Sequence, residues 1–164
     1  MKTLDHIKDP IHLIEVAIRD TAALQARAVT DPFVTFDVEV WHSVTEAGCA
    51  MCMAGAVMAG ELAIEDDVNI VPMQLEDGPT ACKLRLINEI RVANTPEIES
   101  AMELLGWDED WTSTIEYVFD RMSEESLEDL KYGDLSAWEE FRDALVDEAR
   151  NLNLSYESET NDGQ

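Results

Sequence analysis

The sequence predicts a mainly α protein of the α+β kind: a single compact helical domain with a small β element near residues 33–41. Three observations carry that expectation. Apolar residues recur at helical spacing through most of the chain, Pro and Gly punctuate it where helices would start and stop, and one stretch alternates with period 2. With 164 residues, 46% of them hydrophobic, the chain can bury one core without disulfides, and no repeat or low-complexity linker divides it. Residues 1–154 are read as the domain and 155–164 as a flexible polar tail.

The first helix is expected over residues 10–29. Asp9 stands at the N-cap and Pro10 at N1, while Leu13, Ile14, Ala17, Ile18, Leu24 and Ala28 form one stripe. Asp31-Pro32 ends it. From Phe33 to Trp41, Val34, Phe36, Val38 and Val40 alternate with Thr35, Asp37, Glu39 and Trp41, which predicts a strand. A lone strand needs a partner, and Val68–Met73 or Lys83–Leu86 are the candidates. Cys49–Gly60, continued by Glu61–Ile64, carries small residues and methionines on every side and reads as a fully buried helix. Asp77-Gly78-Pro79 signals a turn, followed by a helix over Thr80–Val92. Thr95 as cap and Pro96 at N1 open a helix that ends at Gly106. Trp107–Met122 and Ser126–Tyr132 form one broken or two adjacent helices, stopped at Gly133. Ser136-Ala-Trp-Glu139 is read as a capping box, opening a helix with Trp138, Phe141, Leu145, Ala149 and Leu152 facing inward.

Charge narrows the function classes. Thirty-six acids against 11 bases give a formal charge of −25, which argues against direct nucleic-acid binding and against a polybasic membrane contact. The longest weakly polar stretch, Ala47–Gly60, is bounded by Glu46 and Glu61 and falls short of the roughly 20 residues that span a bilayer. Met1-Lys2-Thr3-Leu4-Asp5-His6 has no apolar signal-peptide core, and the cysteines number three, so reduced thiols in a cytoplasmic setting are expected. The chain contains no GxGxxG, P-loop, GxSxG or HExxH. No catalytic residues, and no cofactor or metal, are therefore expected.

Cys49 and Cys52 make a CxxC, and His42 with Cys82 would complete a Cys3His set on paper. Only one close ligand pair exists, however, and its neighbours Ala50, Met51, Met53 and Ala54 are apolar. No Lys or Arg lies between Arg27 and Lys83 to lower a thiol pKa, so buried structural cysteines are favoured over a zinc or redox role.

Together, a leading helix, Phe36-Asp37, Trp41-His42, Cys49 and Cys52-Met-Ala-Gly-Ala-Val-Met-Ala59, and later Ala101-Met-Glu-Leu-Leu-Gly106 form an ordered set. This order resembles small uncharacterised bacteriophage and bacterial proteins with an aromatic FD…W segment before a Cys-x-x-Cys-hydrophobic-Ala-Gly helix. The resemblance covers roughly residues 10–106 and implies a phage or mobile-element origin; it nominates no catalytic residues.

The charge is concentrated beyond that region. Residues 1–96 hold 15 acids and 7 bases, whereas residues 97–164 hold 21 acids and 4 bases. Glu116, Asp120, Glu124 and Glu128 share a face if their helix is continuous, and Glu139, Asp143 and Asp147 repeat the i, i+4 step. Five such like-charge pairs destabilise by about 1–2.5 kcal/mol in total. An i, i+4 step rises about 6 Å, close to the spacing of successive phosphates, so two such helices would imitate a nucleic-acid backbone. Trp107, Trp111 and Trp138 lie near these charges, but their helical spacing suits core packing better than contact.

The function expected on this pattern is an acidic protein-interaction module of the DNA-mimic type. It would inhibit a basic, nucleic-acid-binding host protein through Glu116, Asp120, Glu124, Glu128, Glu139, Asp143 and Asp147, in the host cytoplasm, and a homodimer is compatible with it. The alternatives are a small accessory protein whose acidity, with only four lysines, serves solubility or salt adaptation, and a cysteine-based zinc or thiol domain.

Overall fold

The first helix, α1 (Pro10–Thr30), packs against the second, third and last helices and the first strand of the chain. In this computed structural model, which describes residues 3–41, 43–46, 48–62 and 78–157, residues 10–17 are buried without interruption. Polar groups at such a buried helix cost stability unless they are hydrogen-bonded. Asp9 caps it, Oδ1 accepting from the His12 N–H at 2.9 Å, with Pro10 following as expected. Its C-cap is Asp31, one residue before Pro32.

Three short strands follow: β1 (Val34–Phe36), β2 (Ser43–Thr45) and β3 (Gly48–Met51), in the order β1-β3-β2. β1 pairs parallel with β3, Val34 opposite Cys49 and Phe36 opposite Met51, and β2 pairs antiparallel with β3. Two expectations are corrected here. The period-2 stretch delivers only three paired residues, because Asp37 Oδ1 accepts from the Glu39 N–H at 2.9 Å and turns the chain. Its partner is not Lys83–Leu86, which is helical; the other candidate, Val68–Met73, lies outside the described residues. The partner is Cys49–Met51, which the sequence assigns to a helix. Cys49 and Met51 point inward at 1% exposure, but Ala50 between them is also apolar, and that conceals the alternation.

The buried helix therefore begins later, as α2 (Met53–Glu61) with Cys52 at its N-cap. At Gly55 the helix touches the chain near Trp41 so closely that a Cβ would overlap the Trp41 carbonyl oxygen. Five more helices complete the described chain: α3 (Pro79–Val92), α4 (Thr95–Leu105), α5 (Glu109–Arg121), α6 (Glu124–Lys131) and α7 (Leu135–Asn151). Gly106 and Gly133 lie just beyond α4 and α6 in the left-handed region, at φ 73° and 77°. Two caps shift. Asn94 rather than Thr95 is the N-cap of α4, and Asp134 rather than Ser136 caps α7, accepting from the Ser136 and Ala137 N–H groups at 2.9 and 3.3 Å. Ser136 lies within the first helical turn, too late to serve the free N–H groups there.

One core joins all seven described helices, with Trp138 and Phe141 among its largest side chains, and a smaller cluster of Leu24, Val34, Cys49, Met51 and Ala56 lies at the sheet. Phe119 stacks on Phe141 at 5.0 Å, and Trp138 Nε1 donates to the Leu130 carbonyl at 3.0 Å near the end of α6. Leu152 departs from its expected inward place: it lies at the α7 C-cap and is 51% exposed. Lys83 is buried, its Nζ donating to the Leu4 and Ile7 carbonyls at 2.6 and 2.8 Å, which fastens the chain before α1 to α3. Burial lowers its pKa. At the other terminus the Glu157 N–H donates to Asp9 Oδ2 at 2.7 Å, and Leu154 and Tyr156 pack against the core.

Gly55→Ala tests the contact at α2. In an exposed helix interior this change gains roughly 1 kcal/mol; here the expected sign is reversed, a loss of about 2–3 kcal/mol. Urea unfolding reads it, and an unchanged or higher midpoint contradicts the close approach. A second test concerns Asp9, whose carboxyl burial pushes above its ordinary value of 3.8 against the opposing His12 and Glu157 hydrogen bonds. The native state then holds that proton more tightly than the unfolded chain. The group's stabilising contribution is complete below pH 3.8 and is lost as pH rises through the folded value. The unfolding free energy of the wild type should therefore gain on that of Asp9→Asn as pH falls from 7 towards 4, and a difference independent of pH refutes this.

Candidate protein-binding surface

Part of the C-terminal acid surplus serves the helices that carry it. Asp108 caps α5 and Asp134 caps α7, while Glu109, Asp110, Glu124 and Glu125 occupy first turns, where negative charge complements the helix dipole. Arg121, Lys131 and Arg150 occupy last turns, the favourable end for cations.

The four-rung ladder expected on a continuous helix does not form. Met122 and Ser123 are extended (ψ 146° and 158°), and Ser123 caps a new helix, its Oγ accepting from the Ser126 N–H at 3.1 Å. Glu116 and Asp120 thus belong to α5, whereas Glu124 and Glu128 belong to α6, with Glu124 at its first position. Glu139, Asp143 and Asp147 share one face of α7 as expected. Four of the five like-charge pairs survive, at about 0.8–2 kcal/mol in total.

Exposure is uneven across the seven. Glu116 is half-buried and the other six are exposed. Asp143 accepts from Arg142 Nε at 2.7 Å; the remaining six make no ion pair among the described residues. Arg142 reaches the other way to Glu15 Oε1 at 3.0 Å, a carboxylate whose side chain is 4% exposed on α1. Burial disfavours the charged guanidinium, but the Glu15 bond and Asp143 outweigh that and hold its pKa above the usual value.

α7 packs against both α5 and α6. Between α5 and α7 lies an open cleft of about 430 Å³. Val118, Met122 and Ala144 give it an apolar floor, and Glu140, Asp147 and Glu148 line its α7 side. On the α5 side, Arg121 lies over the Tyr117 ring, 4.9 Å from its centroid, and Nη1 donates to the Tyr117 hydroxyl at 2.6 Å. Glu116 and Asp120 are not part of this cleft; Tyr117 and Arg121, next to them on α5, line it instead. The tryptophans contribute little contact surface: Trp111 and Trp138 are buried and Trp107 is packed against the core. The exposed aromatics here are Tyr117 and Tyr132. Sequence reasoning missed the cleft, although the Tyr117/Arg121 i, i+4 pair was its available signal.

The CxxC straddles a strand–helix junction. Cys49 lies in β3 and Cys52 at the N-cap position of α2; both, with Cys82 of α3, are buried. Burial pushes the Cys52 thiol up, away from the reactive thiolate, and its Sγ lies 4.0 Å from Asn88 Oδ1. His42, the fourth member of the paper zinc set, lies outside the described residues. Among the described residues no group of three or more His, Cys, Asp or Glu side chains is placed to hold a metal ion, and no helix is long and apolar enough to cross a membrane. Comparison with protein families, curated proteins and solved structures finds no match.

Because the unpaired carboxylates repel one another along their helices, the triple variant Glu128→Gln, Glu139→Gln, Asp147→Asn should be more stable than the wild type. Removing three of the four pairs gains about 0.6–1.5 kcal/mol at low ionic strength, a gain that shrinks near 1 M salt, where the screening length is about 3 Å. Chemical unfolding at two salt concentrations measures it. A loss of stability at low salt would show instead that these side chains have stabilising partners.

Proposed function

We propose that this protein is an acidic protein-interaction module whose α5–α7 surface occupies the basic, nucleic-acid-binding face of a partner protein and so inhibits it. The observation that supports the reading is the excess of exposed carboxylates on α5, α6 and α7 over the bases there: Asp120, Glu124, Glu128, Glu139 and Asp147 are exposed and make no ion pair among the described residues. Their like-charge repulsion works against folding, and an electrostatic partner would relieve it. Such a surface, on a chain of formal charge −25, steers a basic protein at long range and holds it in a salt-dependent way. The interrupted ladder alters the form of the mimicry. The surface presents short carboxylate stripes on adjoining helices in place of one continuous phosphate-like row, which suits a groove contacted at several points. On the resemblance to phage proteins, the partner belongs to the host, and the site of action is the host cytoplasm.

Immobilised protein should retain a basic host protein at low salt and release it when duplex DNA or RNA is added as competitor. The variant Asp120→Lys, Glu128→Lys, Glu139→Lys, Asp147→Lys, verified as folded by circular dichroism, should capture that partner more weakly by roughly tenfold or more. Equal capture by the two proteins, or a partner that nucleic acid does not displace, overturns the proposal. Stability that keeps rising into molar salt, with no partner retained, favours salt adaptation instead.

A further inference from the structure

We propose that the cleft between α5 and α7 is an arginine-receiving pocket. It would take a guanidinium side chain from an arginine-rich segment of the basic partner, in the place where the protein's own Arg121 now lies beside Tyr117. The proposal rests on the interaction-module reading and names the side chain that surface recognises.

The cleft has the parts that an arginine needs. Its floor of Val118, Met122 and Ala144 can cover an aliphatic stem, and Glu140, Asp147 and Glu148 line it from α7. Against those three acids stands one base, Arg121, so the lining carries a net charge of −2. Tyr117 is 42% exposed and already shows what it accepts: a guanidinium 4.9 Å from its ring centroid, bonded to its hydroxyl. Arg121 nevertheless makes no ion pair with any carboxylate among the described residues. Glu140 and Glu148 have only neutral partners, Ser126 Oγ at 3.5 Å and Asn151 Nδ2 at 3.1 Å, and Asp147 has none among the described residues. An incoming cation therefore finds the carboxylates free of competing cations, with only Arg121 to displace from the ring.

Arginine fits this arrangement better than lysine. Its planar head stacks on an aromatic face, is weakly hydrated, and reaches two carboxylate oxygens at once, whereas an ammonium ion remains a strongly hydrated point charge. The exposed Glu139 and Asp143, on the adjoining face of α7, would meet basic residues flanking the inserted arginine. The occupant is thus a run of arginines in a protein chain rather than a single small cation.

The test uses the full chain with hexa-arginine and hexa-lysine peptides, read by fluorescence anisotropy at low salt. Wild-type protein should bind hexa-arginine about two- to fivefold more tightly than hexa-lysine, and Tyr117→Leu should abolish that preference. Arg121→Gln should tighten hexa-arginine more than Arg150→Gln does, the latter making the same charge change outside the cleft. The set Glu140→Gln, Asp147→Asn, Glu148→Gln should weaken hexa-arginine more than the set Asp120→Asn, Glu128→Gln, Glu139→Gln. Equal affinity for the two peptides, binding of neither, or Arg121→Gln matching Arg150→Gln overturns the pocket. If the two carboxylate sets weaken binding alike, the pocket falls while the interaction-module reading stands. That reading falls on its own test, when the charge-reversed protein still captures its partner.

Discussion

The ion pair between Glu15 and Arg142 is the constraint on which the exposed surface depends. Glu15 lies in the part of α1 that is buried on all sides, where an unpaired carboxylate would be expensive. Arg142 comes from α7, 127 residues away, and its 3.0 Å contact fixes which side of α7 faces α1. With Arg142 turned there and Trp138, Phe141, Leu145 and Ala149 in the core, Glu139, Asp143 and Asp147 have only the solvent side left. The buried half of the molecule thus determines the direction of the acidic half. Charge here is worth more as orientation than as stability, since a buried pair is often no better energetically than apolar residues of the same volume.

The same principle explains where the bases have gone. Arg19 bonds Glu61 and Asp20, Lys83 holds two carbonyls ahead of α1, and Arg91 donates to the Val38 carbonyl. Arg142 serves Glu15, and Arg27 pairs with Asp31. Arg19, Lys83, Arg91 and Arg142 join segments distant in sequence, while Arg27 pairs locally; on α5–α7, Arg142 also bonds Asp143, and Arg121, Lys131 and Arg150 lie in last turns. The acidity of that surface arises from the allocation of few bases as much as from the number of acids.

Much of the fold was legible because its signals are local. Asp9-Pro10 announced α1, Asp77-Gly78-Pro79 preceded α3, and Gly106 and Gly133 marked helix ends through backbone angles that glycine adopts easily. What stayed hidden depends on contacts distant in sequence or on competition between near-equal local choices. Cys49–Met51 becomes a strand because β1 and β2 lie on either side of it, a fact absent from its own residues. At α7, Asp134 and Ser136 are both good caps, and the tight turn at Gly133 favours the first: Gln25 donates to its carbonyl at 3.2 Å and the Phe36 ring lies where a Cβ would be. The candidate surface was legible as a list of exposed acids. The break near Met122-Ser123 was legible only as an open choice between one broken and two adjacent helices, since Ser123 can sit within a helix as well as cap one.

That break has a consequence for recognition. A continuous helix would have carried Glu116, Asp120, Glu124 and Glu128 in a straight row, presenting charge at regular intervals and little else. Where α5 ends at Arg121, that cation and Tyr117 line an apolar-floored cleft together with the carboxylate-bearing residues Glu140, Asp147 and Glu148 of α7. A uniform row of charges selects a partner by sign alone. A row interrupted by a shaped cleft can also select by the size and planarity of the side chain it admits, because the apolar floor and the aromatic ring favour a flat, weakly hydrated cation over a compact, strongly hydrated one. On the proposed reading, the irregularity that interrupts a phosphate-like row is the feature that would supply specificity beyond bulk electrostatics.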